Sequence, residues 1–180
     1  MSESFGSGDL KNNLTLGDFK NAVGMGTRPN RYLVNMPIPN SNYTMDIQVS
    51  SLSIPGAQLG TIYVPFRGRT LKLPGDRRFN PWSFTVYDTT DGLWNTLHNW
   101  SNNINNYRSN ETKYTSEDGV YNSNWTIAHY DLNGDKLLKK VRLYNCWLSN
   151  VSPFELAYGS IDQMSQFSCT VEYEFFEHLI

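Results

Sequence analysis

The sequence predicts a mainly β protein: two packed antiparallel sheets, sandwich- or barrel-like, with one flanking α-helix. Two observations predict it. Short runs alternate apolar and polar residues with period 2, the signature of strands with one buried face. Pro- and Gly-rich breaks separate them, and only one later segment, from Asp91 to about Asn105, carries a long helical stripe.

Taken in order, residues 1–12 are polar and Gly-rich and read as a flexible arm. Thr15 to Val23 suits a short helix, with Leu16, Phe19 and Val23 on one face and Gly24 and Gly26 as a stop. Pro29 disfavours helix at Arg28, so a strand is expected over Arg31 to Met36, ended by Pro37 and Pro39. Tyr43 to Ser50 alternates cleanly and reads as one strand, with Thr44, Asp46, Gln48 and Ser50 on its wet side.

Ser51 to Asp88 is the stretch the rest is organised around. It holds three alternations: Ile62, Val64, Phe66; Leu71, Leu73; and Trp82, Phe84, Val86. Each is expected to bury one face. Turns are expected at Pro55-Gly56, at Gly68 and at Pro74-Gly75-Asp76, because Pro fixes φ and Gly permits positive φ. Pro65 lies inside the first alternation and cannot donate to a ladder, which marks a projecting or edge strand. Such a strand needs a partner, in this chain or in another copy.

The helix from Asp91 carries Leu93, Leu97, Trp100 and Ile104 as an apolar stripe, with Asp91 as its cap. Asn106 to Asn124 lacks periodicity and reads as a surface loop or insertion. Strands follow over Trp125 to Leu132 and Leu137 to Trp147, joined by an Asn133-Gly134 turn of type I′. Glu155 to Tyr158 suits a short strand. The last runs from Phe167 to Phe176, with Phe167, Cys169, Val171, Tyr173 and Phe175 inside and Ser168, Thr170, Glu172 and Glu174 outside.

Composition narrows the function. The 180 residues suit one domain with a real core, and 14% aromatic content excludes a disordered chain. Only 18% of residues are charged, with Asn and Ser in their place, a surface readily desolvated against a partner. Net charge is −2 and the cations are spread along the sequence, which argues against a dedicated nucleic-acid binder. The opening has no apolar h-region and no long apolar run occurs, so neither secretion nor membrane insertion is expected from the chain's own signals. Cys146 and Cys169 read as free core thiols.

Candidate chemistry is sparse. Asp131-Leu132-Asn133-Gly134-Asp135 starts like a calcium loop, but its Gly falls too early and Arg142 stands where a bidentate Glu is needed, so a hairpin turn is the better reading. His98, His129 and His178 are far apart and lack zinc spacing. No nucleophile elbow, phosphate-cradling loop or Cys-x-x-Cys occurs. No catalytic residue, metal or cofactor is expected. The Trp residues sit in phase with apolar faces, so core packing explains them better than sugar stacking.

Several pieces resemble the tail tube proteins of T4-like contractile-tailed bacteriophages: Arg28-Pro29-Asn30 before the strand Tyr32-Leu33-Val34-Asn35-Met36, the Pro55-Gly56 turn, Phe66-Arg67-Gly68-Arg69, Pro74-Gly75-Asp76-Arg77, Trp82-Ser83-Phe84-Thr85-Val86 and Trp147-Leu148-Ser149-Asn150-Val151. Their order matches across nearly the whole chain, with the least resemblance at Asn106 to Asn124. The resemblance implies a single tail-tube domain over residues 1–180, six copies per ring, and rings stacked into a hollow tube in the virion, assembled in the host cytoplasm. It implies partners: further copies of the chain, the sheath, tape-measure, baseplate and tube-terminator proteins, and DNA in transit without specific binding. It also carries inter-ring contacts to Phe66, Arg67, Gly68 and Arg69. Arg77 and Arg78 are further contact candidates, as adjacent cations in a chain with few charges.

A tube that passes DNA needs a wall that does not bind phosphate. The strand faces free of Lys and Arg place Asp46, Gln48, Glu172 and Glu174 toward the channel. Two other readings stay open: a tube initiator or cap of the same fold, and a monomeric sugar-binding β-sandwich.

Overall fold

Strands that alternate apolar and polar residues need ladder partners at their edges and one dry face. The computed structural model shows how this chain supplies both; it describes residues 15–180 apart from 25, 43, 47, 91, 113–121 and 154–155. The expected N-terminal arm lies outside the described residues.

Among the described residues ten strands form: β1 (Tyr32–Pro37), β2 (Thr44–Met45), β3 (Val49–Leu52), β4 (Gln58–Phe66), β5 (Arg69–Arg78), β6 (Trp82–Tyr87), β7 (Ser123–Tyr130), β8 (Leu137–Val151), β9 (Gln166–Glu172) and β10 (Phe175–His178). Among the same residues two helices accompany them, α1 (Leu16–Val23) and α2 (Leu93–Ile104). All strand pairs are antiparallel. One sheet runs β2-β1-β7-β8-β9-β6-β3, with β10 added to β8, and β4 and β5 form a second sheet by themselves.

The main sheet folds over on itself through β8. The first part of β8 pairs with β7 and β10, and its end, from Trp147, pairs with β9. The two halves therefore face each other across one core: Trp125 on β7 lies 6.4 Å from Trp82 and 5.8 Å from Phe84 on β6, ring centroid to centroid. The far ends are tied as well, because the Tyr32 hydroxyl on β1 donates to the Val49 and Ser50 carbonyls of β3 at 2.8 and 3.0 Å. The indole N–H groups of Trp82 and Trp125 donate to the Ser53 and Pro37 carbonyls, so neither buried ring leaves its donor unpaired. Helix α2 lays Leu93, Leu97 and Trp100 on the same core. Cys146 and Cys169 are buried and free, as the sequence indicates.

Several boundaries differ from expectation. The strand expected over Tyr43 to Ser50 is two short ones: β2 joins β1, and β3 joins β6 in the other half of the sheet. Asp46 and Gln48 fall in the corner between them, where Gln48 Oε1 accepts from the Asp46 amide at 3.3 Å. Alternation fixed that Met45 and Val49 are inside but not which strand each would pair with. The single strand expected over Phe167 to Phe176 likewise breaks at Tyr173-Glu174, where the chain leaves β6 and crosses onto the first half of β8.

Pro74-Gly75-Asp76 is no turn. It lies inside β5, opposite a register shift between Leu59 and Thr61. A Cβ on Gly75 would come 3.1 Å from the Gly60 carbonyl carbon, so two glycines let the backbones close at a bulge. Asn133-Gly134 is not a two-residue type I′ turn either. Only Gly134 has positive φ there, +85°, and the Asp131 carboxylate organises a wider loop by accepting from the Gly134 and Lys136 amides at 2.8 and 3.3 Å. That carboxylate therefore helps to shape the β7–β8 connection. Helix α2 starts at Gly92 with no side-chain cap, and Asp91 lies outside the described residues. Residues 156–158, in the expected Glu155 to Tyr158 strand, are not strand, and only 106–112 and 122–124 of the expected loop are described, with Asn105 bridging to Thr112 and β7 already begun at Ser123.

Candidate assembly interface

The β4–β5 hairpin is positioned by a tight end and a kinked base. At the tip, Phe66 pairs with Arg69 across a two-residue loop in which Arg67 and Gly68 have φ of +45° and +81°. Positive φ at both positions is the type I′ geometry that matches strand twist. Toward the base, the Gly60/Gly75 bulge re-aims the ribbon. The hairpin adds no strand to the main sheet.

Residues directly opposite each other in an antiparallel pair share a face. One face of the hairpin is therefore built from Ile62 with Leu73, Val64 with Leu71, and Phe66 with Arg69; the other carries Tyr63 with Lys72 and Pro65 with Thr70. The first face was expected to be buried, and it is exposed: Phe66 is 67% accessible and Leu71 55%. The alternation was real, but the surface that covers it is not supplied by the described residues. Burying a Val, Leu, Ile or Phe side chain is worth roughly 1.5–3 kcal/mol, so five of them in one row are a strong drive to associate.

Charge concentrates on the same element. Arg67, Arg69, Lys72, Arg77 and Arg78 make five of the chain's 15 Lys and Arg, against one hairpin acid, Asp76. The cations are therefore not evenly spread, contrary to expectation: these five fall between Arg67 and Arg78, on one hairpin. Among the described residues none of these five is held in an ion pair. Arg67 instead packs over the Phe66 ring, 5.5 Å from its centroid.

The profile of the family described as phage tail tube protein matches residues 27–179. The chain belongs to the phage tail tube protein family. The tail tube protein of Serratia phage KSP90 is 29% identical over 169 residues, covering 88% of this chain and 94% of that protein. Tail tube protein gp19 of Enterobacteria phage T4 is 23% identical over 151 residues, covering 83% and 90%. A chain in the extended sheath-tube complex of an extracellular contractile injection system superposes with a TM-score of 0.63 at 16% identity, covering 92% of this chain and 98% of that one, which shows a shared fold. The protein is a structural tail tube component, and so a component of the virion.

In this tail tube subunit the contact residues proposed from sequence fall in two places. Phe66, Arg67, Gly68 and Arg69 are the hairpin tip; Arg77 and Arg78 close its base, opposite Leu59 and Gln58. The four channel candidates do not form one strand face. Asp46 and Gln48 occupy the β2–β3 corner. Glu172 ends β9, and Glu174 follows at the break, where its carboxylate accepts from the Asn145 side-chain amide. What does form a continuous polar face is the outside of β6, β9 and the end of β8: the Ser83 and Thr170 hydroxyls lie 3.1 Å apart, Ser149 Oγ donates to the Thr170 carbonyl at 3.0 Å, and Ser152 Oγ donates to Ser168 Oγ at 3.2 Å. β6 and β9 contain no Lys or Arg.

Sequence reading missed the groove between β1 and β3, about 560 Å³, lined by Pro29, Tyr32, Leu33, Asp46, Val49 and Leu52 among others. The strand break at Asp46 creates it, and no local pattern announces that break. Among the described residues no cluster of three or more His, Cys, Asp or Glu is arranged to hold a metal ion.

Proposed function

We propose that this subunit self-assembles, six copies to a ring, and that rings stack into the tube through which the phage genome passes. In this reading the whole chain acts as one domain with no catalytic task. It assembles in the host cytoplasm before entering the virion. The sheath surrounds the tube, the tape-measure protein occupies it, and baseplate and terminator proteins close its ends. The observation that carries the reading is the β4–β5 hairpin, whose apolar face has nothing to cover it among the described residues of its own chain; in this reading its tip residues Phe66, Arg67, Gly68 and Arg69 supply contacts between rings. Arg77 and Arg78 contribute at its base.

The channel wall is the hydroxyl-lined face of β6 and β9, extended by Glu172 and Glu174. Uncharged hydroxyls and carboxylates release no counterions to DNA, so the genome slides without binding. Asp46 and Gln48 sit instead in the β2–β3 corner, where the Gln48 carbonyl accepts from the Tyr87 amide at the end of β6 at 2.9 Å.

Deleting Arg67 to Arg69 tests the reading. The shortened protein is expected to stay folded, with an unchanged thermal midpoint, and to stop polymerising. Long tubes from the deletion variant would overturn the hairpin's role.

A further inference from the structure

We propose that the apolar face of the hairpin seats in the β1–β3 groove of a second copy, with Arg69 meeting Asp46 and Phe66 packing on Leu33 and Leu52. The inference rests on the hairpin being the assembly element and names the surface that receives it.

The groove asks for such an occupant. Asp46 Oδ1 is buried yet has no hydrogen-bond partner among the described residues, a costly state for a carboxylate oxygen. Around it the lining is largely apolar, and Leu33 remains 48% accessible on β1, which at that position pairs only with β7. An occupant that satisfies both must present hydrocarbon and one hydrogen-bonding cation together.

The hairpin presents that combination. The rows Ile62–Leu73 and Val64–Leu71 end in Phe66–Arg69, so Arg69 is the cation on the apolar face, while Lys72 lies on the opposite face with Tyr63. A guanidinium offers five donors in a fixed fork and pairs with a carboxylate better than a Lys would. Net charge agrees. With the hairpin basic and the chain at −2, the remainder of each copy is acidic, which draws a neighbour's hairpin toward the body. A further exposed apolar stripe, Leu16, Phe19 and Val23 on α1, lacks this match, because the Asp18 carboxylate beside it is already taken by the Thr15 amide and hydroxyl at 3.0 and 2.7 Å.

Two experiments on the full chain decide it. In a Leu33→Cys, Phe66→Cys double variant, mild copper-phenanthroline oxidation of assembled protein is expected to give a ladder of covalent multimers. Neither single variant should do so, since Cys146 and Cys169 are buried. Wild-type-like tubes without a ladder overturn the proposal. Should the cysteine at Phe66 itself block assembly, the charge swap decides. Asp46→Arg and Arg69→Asp alone are each expected to raise the concentration needed for tubes by about tenfold or more, and the two together to restore most of that loss. A double variant no better than its singles overturns the proposal. Tubes lost on deleting Arg67 to Arg69, with neither a ladder nor a rescue, leave the hairpin's role standing and remove the groove; tubes that survive the deletion remove the hairpin's role itself.

Discussion

At the scale of single residues, two glycines and two cysteines show how local chemistry sets local behaviour. Gly75→Ala forces a methyl group against the Gly60 backbone, where 3.1 Å is available. Because the hairpin stands outside the core, the expected outcome is lost or shortened tubes with a thermal midpoint within about 2 °C of wild type; a large drop in midpoint would show that the ribbon and core fold as one unit. Burial pushes the Cys146 and Cys169 thiols from an ordinary 9.0 up to about 12. Their folded-state values are raised, so the unfolded chain loses these protons first as pH climbs. Stabilisation from keeping them neutral is complete below pH 9.0 and is lost on the way to about 12. Tyr32 and Tyr173, raised mainly by burial, act in the same direction. Urea midpoints are therefore expected to fall steadily through that window. The free thiols were legible in the sequence, from two isolated Cys in apolar phase. The Pro74-Gly75 bulge was not, because a glycine needed for close backbone approach has the same local signature as one needed for a turn.

At the scale of elements, the hairpin and the two strand breaks carry the lesson. Period-2 alternation told which side chains of β6, β7 and β9 are inside, and Trp82, Phe84, Trp125, Phe167 and Cys169 are buried as read. It told nothing of pairing partners, so the β2–β3 corner and the β9–β10 crossing went unseen, and with them the groove at Asp46. It also could not separate burial within the chain from burial in an assembly, which is why Ile62, Val64 and Leu71 were read as core. Pro65 and Arg67-Gly68-Arg69 did mark the projecting strand and its tip, since those signals belong to the hairpin itself. The basic base of β5 gives a prediction at this scale. Exposed ion pairs are worth only ~0–1 kcal/mol each, but in the proposed stack a pair at Arg77 would recur at every subunit. Arg77→Glu is expected to weaken tubes at low salt and flatten their salt dependence, without changing the monomer's stability; unchanged salt dependence would make Arg77 a solvated residue of the ribbon.

At the scale of the whole molecule, a sheet closed around Trp125 and an exposed ribbon divide the labour: the core holds one subunit together, and in the proposed assembly the ribbon reaches for another. The polar wall of β6 and β9 then has a function only in an assembly. A cysteine at Thr170 or Glu172 is expected, in assembled tubes, to react with a small thiol reagent and to be shielded from one too bulky to enter the channel. Equal labelling by both, away from tube ends, would place that face outside.

The most direct measurement of the central claim is negative-stain electron microscopy of the purified, concentrated chain. Hollow rings or tubes are predicted, with end-on class averages showing six-fold symmetry around an open channel. A population of compact monomers at every concentration and salt tried, or closed particles with no channel, would contradict the account.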